Sequence, residues 1–314
     1  MPIILLKHGD IKQNISDLVG TITWSGSKNE VSRTLQFEVL HPKHDYYAPR
    51  VQPKLGDIIQ LLTDDGSEIF RGKVFYSEQV SEQGTIQVTC YDDAIRLSKS
   101  KGTFNFKNAT AESIARRVCE EINLQVGELA PTSIPQKMIV QGGGLYQTLT
   151  DAYKGASLQN GKRYLPIMMQ GRLNVIEVGA IVIDYVLNDA INIISSSFTE
   201  SADSIINKVK IYDENDKFLD EVGNKESMNL FGIFQDTYTK EKDKQARAVA
   251  TNMLKSVEYS VDVTAIGNVK CITGFNIKVE DSTTGVVGVF EISSDTHTWS
   301  NGQYEVNLQL IYKG

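Results

Sequence analysis

Gly84-Thr85-Ile86-Gln87-Val88-Thr89-Cys90 and Gly302-Gln303-Tyr304-Glu305-Val306-Asn307-Leu308 share one form: a glycine, then apolar side chains at every second position with polar ones between. Successive Cβ atoms leave a strand on opposite sides, so this alternation describes a strand with one dry face and one wet face. Each stretch also follows a strand, a turn rich in acids and glycine, and a second strand. The turn is Asp64-Asp65-Gly66 in one case and Glu280-Asp281-Ser282-Thr283-Thr284-Gly285 in the other. The repetition predicts an internal duplication of one β-domain, with a copy near each end of the chain.

Working outward from the first copy, period two extends from Val19 to Asp92, where Leu35, Phe37 and Val39 alternate with Gln36 and Glu38. Asp65-Gly66 suits a hairpin turn between Ile58-Ile59-Gln60-Leu61-Leu62 and Ile69-Phe70. Short, numerous strands of this kind predict a barrel or sandwich. The amino end, Ile3-Ile4-Leu5-Leu6, is too short for a signal peptide and reads as an edge strand.

The middle of the chain changes period. Ala111, Ile114, Ala115, Val118, Cys119 and Ile122 follow the three-four spacing of a helical stripe, with Asn108 or Thr110 as N-cap. A second helix is predicted from Leu145 to Ala156, with Gly142-Gly143-Gly144 as a flexible start. Strands at Tyr164–Met168 and Leu173–Ile176 complete a small α+β unit. After Ile191 the pattern is again strand-rich, interrupted by a helix over 241–258 whose stripe, from Ala246 to Val257, is expected to pack on a sheet.

Composition narrows the functional classes. With 314 residues, 41% of them hydrophobic, a sizeable core is available. The 32 basic and 39 acidic residues give a formal charge of −7, so no global positive field draws in a nucleic-acid backbone, and a sequence-reading DNA binder is not expected. Cys90, Cys119 and Cys271 form no C-x-x-C pair and read as small apolar core residues. The most apolar longer stretch, Val175 to Leu187, contains Glu177 and Asp184 and falls short of a membrane span, so folding in the cytoplasm is expected.

No local constellation of catalytic residues stands out. His41-Pro42-Lys43-His44 has two histidines three apart, but Pro42 favours an extended loop over a helical metal site. With Tyr46 and Tyr47, His41 and His44 read as a surface loop offering a possible protein contact. Asp213-Glu214-Asn215-Asp216-Lys217-Phe218 opens like a calcium loop, yet Lys217 and Phe218 stand where an oxygen ligand and a glycine are needed, so a hairpin tip is expected. The Gly142–Gly144 run lacks the lysine of a phosphate loop. No Gly-x-Ser-x-Gly elbow occurs, and no cofactor, metal or catalytic residue is expected. Two acids distant in sequence could still meet across a cleft, which the sequence leaves open. Trp24 and Trp299 invite a sugar-stacking reading, the second because it adjoins the turn Ser300-Asn301-Gly302. A protein that binds or hydrolyses cell-wall peptidoglycan is therefore the alternative.

Several ordered stretches carry a family resemblance. They are Leu55-Gly56-Asp57-Ile58-Ile59, Ile69-Phe70-Arg71-Gly72-Lys73, Cys90-Tyr91-Asp92-Asp93-Ala94, Ala109-Thr110-Ala111-Glu112-Ser113-Ile114, Asp295-Thr296-His297-Thr298-Trp299 and Asn301-Gly302. Together they resemble the XkdQ-like baseplate hub proteins of contractile phage tails and phage-like bacteriocins, relatives of late control protein D and of the hub part of VgrG. The resemblance implies a mainly β, non-enzymatic structural protein with two tail-tube-like β-barrels flanking a small α+β domain. The divisions are 1–102, 103–190 and 191–314. Gly56, Asp57, Phe70, Gly72, Tyr91, Asp92, Thr110, Ala111, Ile114, His297, Trp299 and Gly302 are its motif positions. It further implies a homotrimeric ring joining a sixfold tube above to a threefold spike below, other baseplate proteins around it, and DNA passing through the lumen without sequence-specific binding. The chain stops at Gly314, directly after the last expected strands, so any spike or hydrolase is expected on a separate chain. The expected location is the tail baseplate of a virion or bacteriocin particle, assembled in the bacterial cytoplasm.

Overall fold

The alternating stretches form strands in the computed structural model of the chain, which describes residues 2–42, 47, 50–79, 84–242 and 244–312. The first third comprises β1 (Ile3–His8), β2 (Ile11–Asn14), β3 (Val19–Ser27), β4 (Thr34–Leu40), β5 (Ile58–Leu62), β6 (Glu68–Gln79), β7 (Thr85–Asp92) and the short α1 (Ile95–Lys99). Its strands lie in the order β2-β1-β5-β6-β7-β4-β3, every neighbour antiparallel. The amino-terminal strand is thus not an edge: β2 folds back on β1 and takes that place. Ile4 and Leu6 of β1 share one core with Ile22 and Trp24 of β3, although these strands stand near opposite ends of the order. The sheet therefore curls around its apolar face.

The middle unit comprises β8 (Lys101–Ala109), α2 (Ala111–Glu120), β9 (Val126–Leu129), β10 (Gln136–Gly144), α3 (Leu145–Asn160), β11 (Tyr164–Met169) and β12 (Arg172–Glu177). Its core joins the predicted stripe of α2 to Leu145, Leu149, Ala152, Tyr153 and Ala156 of α3. Thr110 is the N-cap residue of α2. Gly143 and Gly144 are not a flexible lead-in to α3: they close β10, paired with Gly102 and Lys101.

The remainder comprises β13 (Val182–Asn188), β14 (Ile193–Ser201), β15 (Lys208–Tyr212), β16 (Phe218–Gly223), α4 (Lys225–Phe231), β17 (Gln235–Thr239), α5 (Ala246–Met253), β18 (Glu258–Ile266), β19 (Asn276–Asp281), β20 (Val286–Ser300) and β21 (Gln303–Tyr312). The helix expected over 241–258 is shorter, because Leu254 is already extended and Lys255 bridges to Ile206. It packs on a separate three-stranded sheet, β16-β15-β17, through Val249 and Ala250. Asp213 to Lys217 form the hairpin tip between β15 and β16. Val182–Asn188, expected at the end of the middle unit, instead pairs with β19 and contributes Ile183 and Leu187 to the last core. Among the described residues no helix is long and apolar enough to cross a membrane.

The strands outside these insertions repeat the first sheet. They lie in the order β13-β19-β20-β21-β18-β14, which matches β1-β5-β6-β7-β4-β3 place for place, although β13 runs in the opposite sense to its counterpart. The registers match as well. Ile58 pairs with Lys73 as Asn276 pairs with Glu291. A bulge follows the pair Val74 and Cys90 in β6, and another follows Ile292 and Leu310 in β20. A second pair of bulges falls early in β3 and in β14. The duplication seen in sequence is therefore a repeat of whole modules, but Cys90 corresponds to Leu310, two residues from the alignment suggested by the glycines. A shift of two keeps every side chain on its face, which is why the strands looked alike at the wrong register.

Neither module closes on itself through hydrogen bonds among the described residues. They join edge to edge instead, since β3 pairs antiparallel with the second half of β20, from Ser294↔Ser27 to Trp299↔Ile22. The first half of β20 pairs with β19, so this long strand serves both modules.

A Cβ at Gly72 would fall within 2.5 Å of Phe70 Cζ and against the Tyr91 carbonyl oxygen, a backbone atom that cannot step aside. Gly72→Ala is expected to cost about 1–3 kcal/mol by overpacking, measured as a lower urea midpoint at unchanged slope.

Candidate functional site at the module junction

Charged side chains are rarely placed on the dry face of a strand, because an unpaired charge loses its hydration there. Arg33 stands two residues before Leu35 on the same face and is 6% exposed; Asp295 of β20 is 1% exposed. Their guanidinium and carboxylate meet in a two-pronged pair, Arg33 Nη1 donating to Asp295 Oδ1 at 3.0 Å and Nη2 donating to Oδ2. Thr273 adds two bonds to Oδ1, from its backbone N at 2.7 Å and its Oγ1 at 2.6 Å. Burial pushes the Asp295 carboxyl up, but the charge of Arg33 and the bonds from Arg33 and His297 outweigh it and hold the group well below the usual carboxylate range. The pair spans the junction, with Arg33 between β3 and β4 of one module and Asp295 on β20 of the other.

Aromatic rings enclose it. The guanidinium lies 4.1 Å from the Trp24 ring centroid, and His297 lies 4.8 Å from Trp24 on the opposite strand of the junction. His297 Nε2 faces two oxygens, the Cys271 carbonyl at 3.0 Å and Asp295 Oδ2 at 3.3 Å, so it carries the ring hydrogen. Nδ1 is then free to accept from the Tyr304 hydroxyl at 2.8 Å. Trp299 stacks on Tyr304 at 4.4 Å and enters the core of the first module although it belongs to the second. Gly26 completes the fit, because a Cβ there would overlap the Arg33 guanidinium.

On the other side of Arg33, Asp92 Oδ2 accepts its backbone N–H at 2.9 Å, and Oδ1 accepts that of Ala94 at the entry to α1. Burial is the main influence on this carboxyl and lifts it to about 7, against the bonds from Arg33 and Ala94. The middle unit has its own tie to the second module, a two-pronged pair between Arg163 and the buried Glu291.

The motif positions fall in four places. Gly56 and Asp57 shape the turn before β5, where Gly56 has φ +88° and Asp57 accepts from Lys54 N at 2.9 Å and meets His8 Nδ1 at 2.5 Å. Phe70, Gly72, Tyr91 and Asp92 lie along β6 and β7. Thr110, Ala111 and Ile114 start α2. His297 and Trp299 lie at the junction, and Gly302, with φ +78°, turns β20 into β21. Only Asp92, His297 and Trp299 belong to the junction cluster. Of the surface loop, His41 is half-buried and Tyr47 is 98% exposed; His44 and Tyr46 lie outside the described residues. Sequence reading missed Arg33, Thr273 and Tyr304. For Arg33 the available signal was its place in the alternation 33, 35, 37, 39.

This arrangement holds surfaces together and occupies most of its polar atoms with one another; Trp24 Nε1 and Arg33 Nε are buried without a hydrogen-bond partner. A groove of about 790 Å³ passes by and reaches Trp24 and Arg33, but His297 is fully buried behind them. The tryptophans are 1% and 7% exposed, so the strand-end exposure expected for Trp299 is not found and neither indole presents a face to a sugar. Cys90, Cys119 and Cys271 are buried free thiols, pushed up by that burial, to about 12 for the latter two. Among the described residues no group of three or more His, Cys, Asp or Glu converges as metal ligands.

Arg33→Met leaves the Asp295 carboxylate buried without its partner and is expected to cost about 3–5 kcal/mol in urea unfolding, against well under 1 kcal/mol for the exposed Arg117→Met. The two carboxyls also separate by pH. Asp92, raised in the fold, contributes stability that is fully present below its ordinary value of 3.8 and is lost as pH rises through about 7. Asp295, depressed in the fold, contributes stability present above the ordinary carboxylate range and lost only as pH falls below it. Unfolding free energy is therefore expected to decline from about pH 4 to 7, with the decline removed in Asp92→Asn.

Comparison with known proteins places this architecture. The XkdQ protein of the phage-like element PBSX of Bacillus subtilis (strain 168) is 21% identical over 306 residues, covering 93% of this chain and 92% of that protein. The 43 kDa tail protein of prophage MuSo2 from Shewanella oneidensis shares the fold, with a TM-score of 0.75 at 16% identity over 98% of each chain. The Escherichia coli c3393 protein, described as a type VI secretion component similar to the T4 tail proteins gp27 and gp5, has a TM-score of 0.59 at 11% identity, covering 94% of this chain and 74% of its own. The YQBQ-like family matches residues 22–311, from β3 through β21 and so across both modules and the middle unit, and the chain belongs to that family.

Proposed function

We propose that the protein is a non-enzymatic baseplate hub, three copies of which form a ring between a sixfold tail tube and a threefold central spike. The observation that carries this reading is the module repeat: one chain holds two sheets of matching strand order and register, fused through β3 and β20. Three such chains present six equivalent modules on one side while retaining a true threefold axis, so the mismatch between tube and spike is absorbed by gene duplication within the subunit. The working division is a first tube-like module over 1–102, an α+β insertion over 103–190 and a second module over 191–314, with β13 assigned by its pairing to the second module. The motif positions are read as structural: turns, caps and junction contacts that hold this geometry.

The partners on this reading are a tube or tube-initiator protein above, a spike below and other baseplate proteins around. DNA crosses the lumen without sequence-specific contact, and a net charge of −7 is compatible with a channel that releases phosphate readily. The chain is assembled in the bacterial cytoplasm into the tail baseplate of a virion or bacteriocin, and needs no cofactor. Light scattering and particle imaging of the purified chain, alone and with tube and spike proteins, are expected to show trimers and annular particles. Monomers in every mixture would refute the ring. Release of fragments from purified cell walls by the chain alone would refute the non-enzymatic part.

A further inference from the structure

The internal junction is a template for an interface the single chain leaves unmade. In the module repeat, residue x of β20 corresponds to residue x minus 218 of β6, since Ile292 and Leu310 occupy the places of Val74 and Cys90. Residue y of β3 likewise corresponds to y plus 174 of β14, since Phe37 pairs with Ile22 as its counterpart Val263 pairs with Ser196. β20 receives β3 over Ser294–Trp299. The equivalent stretch of β6 starts at Tyr76, and among the described residues its outer edge has no strand beside it. The equivalent of β3 is β14, which among the described residues pairs only with β18 and ends the sheet.

Burial follows the same division. Asp295 and His297 of β20 and Trp24 of β3 are buried where the junction is made. Their counterparts Ser77 and Gln79 of β6 and Phe198 of β14 are exposed. Two extended edges carrying open N–H and C=O groups are a liability unless something pairs with them. They are also far apart in the joined sheet, with β18, β21, β20, β3, β4 and β7 between, and among the described residues one chain does not pair them with each other.

We propose that β14 of one copy adds antiparallel to the outer edge of β6 of the next, reproducing the β3–β20 junction between chains. Carrying the internal register across gives Tyr76↔Ser201, Ser77↔Glu200, Glu78↔Thr199 and Gln79↔Phe198. No like charges fall opposite one another in this register, and Phe198 takes the place that Trp24 holds in the internal junction. The contact is heterologous, head to tail, so it generates a ring or an open filament according to the rotation per chain. The proposal rests on the ring reading above and names the strands that would make it.

The test is disulfide trapping in the full-length chain. Ser77→Cys and Glu200→Cys together are expected to give covalent species after mild oxidation, ending at three chains on a denaturing gel, because paired residues of adjacent strands lie within disulfide range. A mixture of the two single variants is expected to give only dimers. The native cysteines are buried, so the parent chain serves as the uncrosslinked control. Ser77→Cys with Ser195→Cys, five residues out of register, is expected to stay monomeric on the gel. Trimers by light scattering without the in-register link overturn the strand pairing and leave the ring. In-register links in an open-ended ladder support the pairing and overturn the trimer. Monomers with no link overturn both. Both substituted positions are exposed, and an unchanged thermal midpoint of the reduced variants shows that the fold is intact.

Discussion

The two-pronged pair of Arg33 and Asp295 is the constraint on which the arrangement of this molecule turns. A guanidinium and a carboxylate with almost no access to water are tolerable only if each satisfies the other and the remaining lone pairs find donors. Thr273 and His297 supply those donors, and Trp24 covers the face of the guanidinium. Such a pair adds less to stability than an apolar contact of equal size, but it is intolerant of misplacement. Sliding β3 along β20 by one residue would move Trp24 away from His297 and strand the charges. The pair therefore fixes the register of the junction, and with it the relation of one module to the other.

That fixed relation is what a repeated module needs in order to build symmetry. A flexible linker between two copies would leave their mutual rotation undefined, whereas a strand shared by both sheets defines it through backbone geometry. β20 accomplishes this by its length and its bulge: its first half completes one sheet against β19, and its second half carries the neighbouring sheet against β3. The insertions, the α+β middle unit and the small sheet under α5, are tied on from outside. Arg163 to Glu291 and Asn252 to the Leu158 carbonyl leave the continuous strand order undisturbed.

The resemblance to hub proteins drew attention to His297 and Trp299 as motif residues, and the structure explains why residue types with chemical potential can be structural. An Asp, a His and a Tyr in hydrogen-bonded sequence would suggest proton transfer in an open cleft. Here the histidine hydrogen faces oxygens already inside the junction, the tyrosine hydroxyl meets its other nitrogen, and the carboxylate is neutralised by arginine. Chemistry needs an unoccupied bonding position at a place a substrate can reach; here the Asp, His and Tyr groups are partnered with one another, and the two donors left without a partner, Trp24 Nε1 and Arg33 Nε, are buried.

Local elements can be read along the chain alone, because alternation and three-four spacing depend on the nearest few residues. The strands around Leu35 and Ile86, the stripes of α2 and α3 and the turn at Asp64-Asp65-Gly66 were all legible, and so was the suspicion of a repeated β-domain. The length of α5, the internal place of β1 and the extended state of Gly143 and Gly144 were not, since each is decided by a pairing partner distant in the chain. The junction was decided by tertiary structure alone. Arg33 and Asp295 are 262 positions apart, and nothing near either residue announces the other. A charge on a dry strand face marks that some partner must exist; only the folded sheet, by setting β3 against β20, selects which one, because desolvation makes a buried position without that partner too costly for either group.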